Sequence, residues 1–144
     1  MGVNHIESVY QGGMSFSTAI RGHQVTIDLD QEHGGQNLGS SPKILMLVSL
    51  AGCTGLDVVS ILNKMKVTFS QFRIHVQAHV TDTDPKIYDK VALTYHIQVD
   101  EKDQARAERA VSLSQEKYCG VSEMFRAFSD LSYQIQYEGP SDGR

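Results

Sequence analysis

Two periods run along the chain. Met14, Phe16, Thr18 and Ile20 alternate with Ser15, Ser17 and Ala19. After Arg21-Gly22 the alternation resumes, with Val25, Ile27 and Leu29 set against Thr26, Asp28 and Asp30. A period of two is that of a half-buried strand, so this stretch predicts an N-terminal hairpin turning at Arg21-Gly22. Arg-Gly is a weaker turn signal than Asn-Gly. EHGGQNLGSS, Glu32 to Ser41, is dense in Gly, Asn and Ser and reads as a loop. Ser41-Pro42 then supplies an N-cap and a proline at the first helical position. ILMLVSLAGCTGLDVVSILNKM shows no strand alternation over more than twenty residues, which predicts a long helix.

That helix is apolar at nearly every angle: Ile44, Leu45, Met46, Leu47, Val48, Leu50, Leu56, Val58, Val59, Ile61 and Leu62. It must therefore be enclosed on all sides, which a chain of 144 residues can hardly do alone. Ser49, Thr54, Asp57 and Ser60 punctuate it too often for a membrane span. The expected solution is a central helix covered by its own sheet on one side and by a second subunit on the other. Ala51, Gly52 and Gly55 would permit the close approach, and an obligate homodimer is expected.

Downstream the period returns to two. Phe72, Ile74, Val76, Ala78 and Val80 face one way and Arg73, His75, Gln77, His79 and Thr81 the other; after DTDPK, Val91, Leu93, Tyr95, Ile97 and Val99 repeat the pattern. Asp100 is placed to cap a polar helix, EKDQARAERAVSLSQEK, with a narrow stripe of Ala107, Ala110, Val111 and Ser114. A short helix is expected near Cys119, and Leu131, Tyr133, Ile135 and Tyr137 form a last strand, with both tyrosines expected in the core. The order predicts one α+β domain, residues 1–144, in which antiparallel sheet wraps the long buried helix.

Composition narrows the function classes. With 40% hydrophobic residues and 144 in all, the chain has the size of one domain. A net charge of −4 and a pI near 5.8 draw it to neither phosphate backbones nor anionic lipid, so no nucleic-acid and no membrane partner is expected. MGVNHIESVYQGG has neither a secretory pattern nor, with Ile6 at position 6, a myristoylation pattern. A cytoplasmic location is expected. In a reducing compartment two cysteines suit redox chemistry or packing better than a permanent staple.

A thiol acts as a nucleophile only once ionised, which takes a helix N-terminus or a nearby cation. Cys119, in KYCGVSEMF, stands where a helix begins. Cys53 lies inside the long helix, where burial alone would raise its pKa and leave it an inert packing residue. Residue chemistry by itself leaves both roles open.

SPKILMLVSLAGCTGLDVVSIL resembles the central-helix motif of the OsmC/Ohr superfamily, and KYCGVSEMF resembles its second cysteine motif, 66 positions on. The resemblance covers about Arg21 to Tyr137. It implies an OsmC-like fold, an intertwined homodimer with two central helices enclosed by sheets, and thiol-dependent reduction of organic hydroperoxides. It implies Cys53 as the peroxidatic cysteine, Cys119 as the resolving cysteine that forms a disulfide with it, and an external dithiol as reductant. No cofactor and no metal is implied. Arg21 falls where the family places an arginine that stabilises the thiolate, though a solvated turn residue is the alternative. One departure stands out: the family's peroxidases carry glutamate after the helix-opening proline, and here that position is Lys43. Lys43 lies about 15 Å along the helix axis from Cys53 and cannot serve that thiol directly. The second reading is thus a dimeric binding or redox-sensing protein for apolar ligands.

Other polar residues are read as structural. Asp57 and Glu123, each four positions after a cysteine, would oppose thiolate formation and suit capping or hydrogen bonding. His75 and His79 share a strand face about 13 Å apart, too far for one metal. His96 on the paired strand could approach His75, but two histidines without a carboxylate make a weak metal site. The Gly34-Gly35 loop lacks the flanking pattern of a phosphate cradle.

Overall fold

The computed structural model describes residues 2–139, which divide into two compact units, one ending at Val48 and one beginning at Ser49. In the first, strands β1 (Ser8–Tyr10), β2 (Phe16–Ile20) and β3 (His23–Ile27) form an antiparallel sheet in that order. The predicted hairpin is β2–β3, running from the Phe16–Ile27 pair to Ile20–His23. Arg21 (φ 48°) and Gly22 (φ 83°) both take the left-handed conformation at its tip. That geometry matches the twist of the flanking strands, and Arg21 adopts it without glycine's freedom. Three residues are too few to show a period, so β1 carries no sequence signal.

The loop after β3 is organised by a buried acid. Asp28 is 2% exposed, and its carboxylate accepts from the backbone N–H groups of Leu29 (2.7 Å), Leu38 (3.1 Å) and Gln36 (3.3 Å). Asp30 caps a short 3₁₀ turn, Gln31–His33, through a bond from the His33 N–H. Gly35 is required because the chain doubles back: a Cβ there would stand 2.0 Å from the Leu29 carbonyl oxygen.

Helix α1 spans Pro42–Lys64, as its capping residues and lack of alternation predict. Leu50, Thr54, Val58 and Leu62, spaced by four, form its buried stripe. Ile44, Met46, Val48 and Leu56 stay exposed, Leu56 at 73%. The second unit thus encloses the helix along the Leu50–Leu62 stripe and leaves Leu56 uncovered. Gly55 is part of that enclosure, since a Cβ there would meet Ile74 Cδ1 at 3.1 Å, whereas Gly52 faces open space. In length and hydropathy α1 would pass for a membrane span. Its buried stripe, however, packs on protein and carries a hydrogen-bonded threonine.

In the second unit β4 (Phe69–Val80) and β5 (Tyr88–Val99) pair antiparallel, and β6 (Asp130–Tyr137) adds to the far side of β5. The alternation places Val91, Leu93, Tyr95 and Ile97 in the core. Between Ser70 and Arg73 the register slips, with Gln71 at φ 50°. β6 runs parallel to β5, which corrects the expectation of a wholly antiparallel sheet. A two-helix crossover separates the strands, and such a connection carries the chain back to the end from which β5 started.

The crossover comprises a 3₁₀ turn (Glu101–Asp103), α2 (Gln104–Leu113), one π-helical turn (Ser114–Tyr118) and α3 (Gly120–Phe128). Ala107, Ala110, Val111 and Ser114 are buried as their spacing predicts. Asp100 makes no side-chain cap; its carbonyl takes the Asp103 N–H instead, because the chain enters through a 3₁₀ turn. Tyr133 is 41% exposed, against expectation, since β6 lies at the sheet edge. Tyr137 is half-buried and donates its hydroxyl to the Gln104 carbonyl at 3.0 Å.

Candidate functional site

Cys53 and Cys119, 66 positions apart, meet in space. Their sulfurs and a carboxylate oxygen of Asp57 all lie within 4.8 Å of one another, and both thiols are free. α1 places Cys53 and Asp57 on one face, one turn apart. The π turn brings Cys119 to them. Its N–H bonds to the Ser114 carbonyl at 2.7 Å, and its Sγ caps α3 by accepting the Ser122 N–H at 3.3 Å.

Four influences act on Cys53. Burial pushes its thiol up from the usual range, and the adjacent Cys119 and the Asp57 carboxylate push the same way. Opposing them is a hydrogen bond from the Val121 backbone N–H, so the first turn of α3 serves both sulfurs. From the sequence that helix start is expected to serve Cys119 alone; in the structure it reaches Cys53 as well. Asp57 opposes the thiolate, as expected of a carboxylate beside it.

Beneath the thiols lies a buried polar chain. Asp57 Oδ2 accepts from Ser114 Oγ at 2.9 Å. Ser114 Oγ lies 2.7 Å from Thr54 Oγ1, which lies 2.6 Å from the Tyr95 hydroxyl, which accepts from Gln115 Nε2 at 2.6 Å. An ionised carboxylate only accepts, so every proton along this chain points toward Asp57. Arg126 closes the far end, donating through Nη2 to the Gln115 carbonyl at 2.7 Å. Thr54, Tyr95, Ser114 and Gln115 were not singled out for the site from the sequence. The available signal was Ser114, a polar residue ending an otherwise apolar stripe.

Arg21 stands exposed at the tip of the β2–β3 turn, in the first unit. Lys43 is exposed in the first turn of α1. Glu123 is not drawn to the thiols but pairs with Arg126 at 3.2 Å. The histidines do find carboxylates: His79 pairs with Asp89 at 2.7 Å, and His96 with Glu138 at 2.9 Å. Glu138 also takes Arg73, and the register sets His96 opposite Arg73 rather than His75, so no histidine pair forms across these strands. A cavity of about 500 Å³ opens beside Asp57, walled by Ile61, Met65, Leu113 and Tyr118 with Lys64 at its margin.

An α+β fold in which a thiol inside a long apolar helix meets a second thiol at the start of a later helix defines a two-cysteine class. Residues 34–133 match the family model described as OsmC-like protein, and the chain belongs to that family. It is 26% identical over 125 residues to Protein YhfA of Escherichia coli K12, covering 86% of this chain and 90% of that one. It resembles the crystal structure of a hypothetical protein from Aquifex aeolicus VF5, with 29% identity and a TM-score of 0.77 over 96% of this chain and all of the other. The fold is also shared with an organic hydroperoxide resistance protein OsmC from Legionella pneumophila, with 17% identity and a TM-score of 0.65 over 94% of this chain and 99% of that one.

Proposed function

We propose that the protein is a cytoplasmic, thiol-dependent peroxidase acting on organic hydroperoxides. The observation that carries this reading is the convergence of the two free sulfurs within 4.8 Å. Cys53, as thiolate, attacks the distal oxygen of the hydroperoxide; the O–O bond breaks, the leaving alkoxide takes a proton, and an alcohol departs. The resulting sulfenic acid condenses with the Cys119 thiol, releasing water and forming a disulfide. An external dithiol reopens it by exchange. Arg21 is the proposed source of the positive charge that Cys53 lacks, on its place in the family resemblance. The uncovered side of α1 supports a homodimer, with Ile44, Val48, Gly52 and Leu56 facing a second copy.

Treating reduced protein with one equivalent of cumene hydroperoxide tests the reading by mass. Loss of two hydrogens per chain, with dithiothreitol-supported turnover abolished in Cys53→Ser and weakened in Arg21→Gln, is the expected outcome. A Cys53 that resists both peroxide and alkylation sinks it. In that event the second reading stands, a dimeric binding or redox-sensing protein for apolar ligands. The raised Cys53 thiol and Lys43 in the family's glutamate position favour that alternative.

A further inference from the structure

We propose that Cys53, Cys119 and Asp57 form a binding site for a thiophilic divalent cation, zinc in kind, which holds the two thiols as a capped, reduced pair. Three donors of types that zinc accepts, two sulfurs and a carboxylate oxygen, lie within 4.8 Å of one another. Zinc–sulfur bonds of about 2.3 Å and zinc–oxygen bonds of about 2.0–2.2 Å in a tetrahedral centre set such ligands about 3.6–3.8 Å apart, about 1 Å inside that limit, so the three donors close in on the metal as it binds.

The surroundings fit a metal better than they fit a bare thiolate. Two sulfurs and a carboxylate converge on one point, and a divalent cation is the species whose charge matches the thiolates it creates on binding and the acid beside them. Asp57 is already aimed: Ser114 donates to Oδ2 at 2.9 Å, leaving the second oxygen for the metal. A ligating carboxylate held by a hydrogen-bonded neighbour is the usual outer shell of a zinc centre. Behind Ser114 the Thr54–Tyr95–Gln115 chain fixes the direction of that bond. Cys119 is buried, while Cys53 and Asp57 are half-buried, so the site has an enclosed side and an open one. Three protein ligands leave a fourth, tetrahedral position for water.

The balance is simple. One divalent cation enters, the two thiols each release a proton to solvent, and the carboxylate binds without proton release. With one lone pair of each thiolate bound to the metal, both sulfurs are weaker nucleophiles toward a peroxide than free thiolates. The site does not depend on peroxidase activity, because metal binding requires only the reduced dithiol and Asp57.

Reduced full-length protein, stripped with a chelator, is titrated with zinc by calorimetry in two buffers of different ionisation enthalpy. Cobalt(II) serves in parallel as a spectroscopic probe. One metal per chain, close to two protons released, and thiolate-to-cobalt charge-transfer bands with intense tetrahedral visible bands are expected. Cys53→Ser and Cys119→Ser each abolish the charge-transfer signature of a two-thiolate site, and Asp57→Asn weakens zinc by at least tenfold. Ser114→Ala, which leaves all three ligands in place, weakens it by about 10- to 100-fold. Glu123→Gln, at an exposed carboxylate paired with Arg126, leaves the affinity unchanged. Zinc binding that is absent, or that survives Asp57→Asn and Cys119→Ser undiminished, overturns the proposal. Peroxide-driven disulfide formation in the metal-free protein is read separately, so failure of one reading does not pass for failure of the other.

Discussion

A hydroxyl and a thiol in the second unit meet the same opposition to ionising, with different consequences. Burial pushes Tyr95 up to about 12, against its hydrogen bonds with Thr54 and Gln115, which partly offset it. The unfolded tyrosine ionises near 10. Folding therefore keeps this proton, and the stability linked to it is whole below pH 10 and is lost as the pH rises through about 12. Two units correspond to roughly 2–3 kcal/mol. Base-induced unfolding followed by circular dichroism is expected to steepen between those pH values, and Tyr95→Phe is expected to flatten that part of the curve. The same substitution weakens the protein at neutral pH by about 1–3 kcal/mol, because Thr54 and Gln115 lose a buried partner. Cys53 has an outlet that Tyr95 lacks, since the N–H of Val121 and the open side of the site leave its charge somewhere to be met.

Elements of strong period were legible in the sequence, and those shaped by a local departure from period were not. α1 runs from the proline that announces it to Lys64, and the alternating faces of β4 and β5 are those their residues predict. The sense of β6 was not readable, because parallel and antiparallel strands share one alternation and only the crossover separates them. The π turn was not readable either: SQEKY continues the helical pattern, and the extra residue shows only when Ser114 and Gln115 both face inward. The two sulfurs were legible from motif resemblance. The polar chain beneath them required the turn that the sequence hides. The β3–α1 loop read correctly as a loop, yet its reliance on Asp28 and Gly35 is a matter of backbone path. Gly35→Ala forces a Cβ to within 2.0 Å of the Leu29 carbonyl oxygen, so a clear drop in thermal midpoint is expected by calorimetry. Gly52→Ala, in open space, is expected to leave the fold of the chain intact.

At the scale of the whole molecule, the exposed apolar residues of α1, Ile44, Met46, Val48 and Leu56, are what supports the proposed second copy. Leu56 is 73% exposed on α1, and Leu56→Asp is expected to shift the proposed dimer toward monomer in light scattering at micromolar concentration. An unchanged mass for both proteins, dimeric or monomeric, counts against the interface. The meeting of Cys53 with Cys119 has a different reach. A bond between them closes a loop containing β4, β5 and α2. Chain entropy alone then makes the oxidised form more stable by about 4 kcal/mol, visible as a higher melting temperature after peroxide treatment. Linkage works in both directions, so whatever the cross-link lends the fold, the fold returns to the cross-link. The disulfide in folded protein is then harder to reduce than in the unfolded chain by about 90 mV. The external dithiol of the proposed cycle would therefore have to be a strong reductant, and partial unfolding would release the oxidised pair to weaker ones.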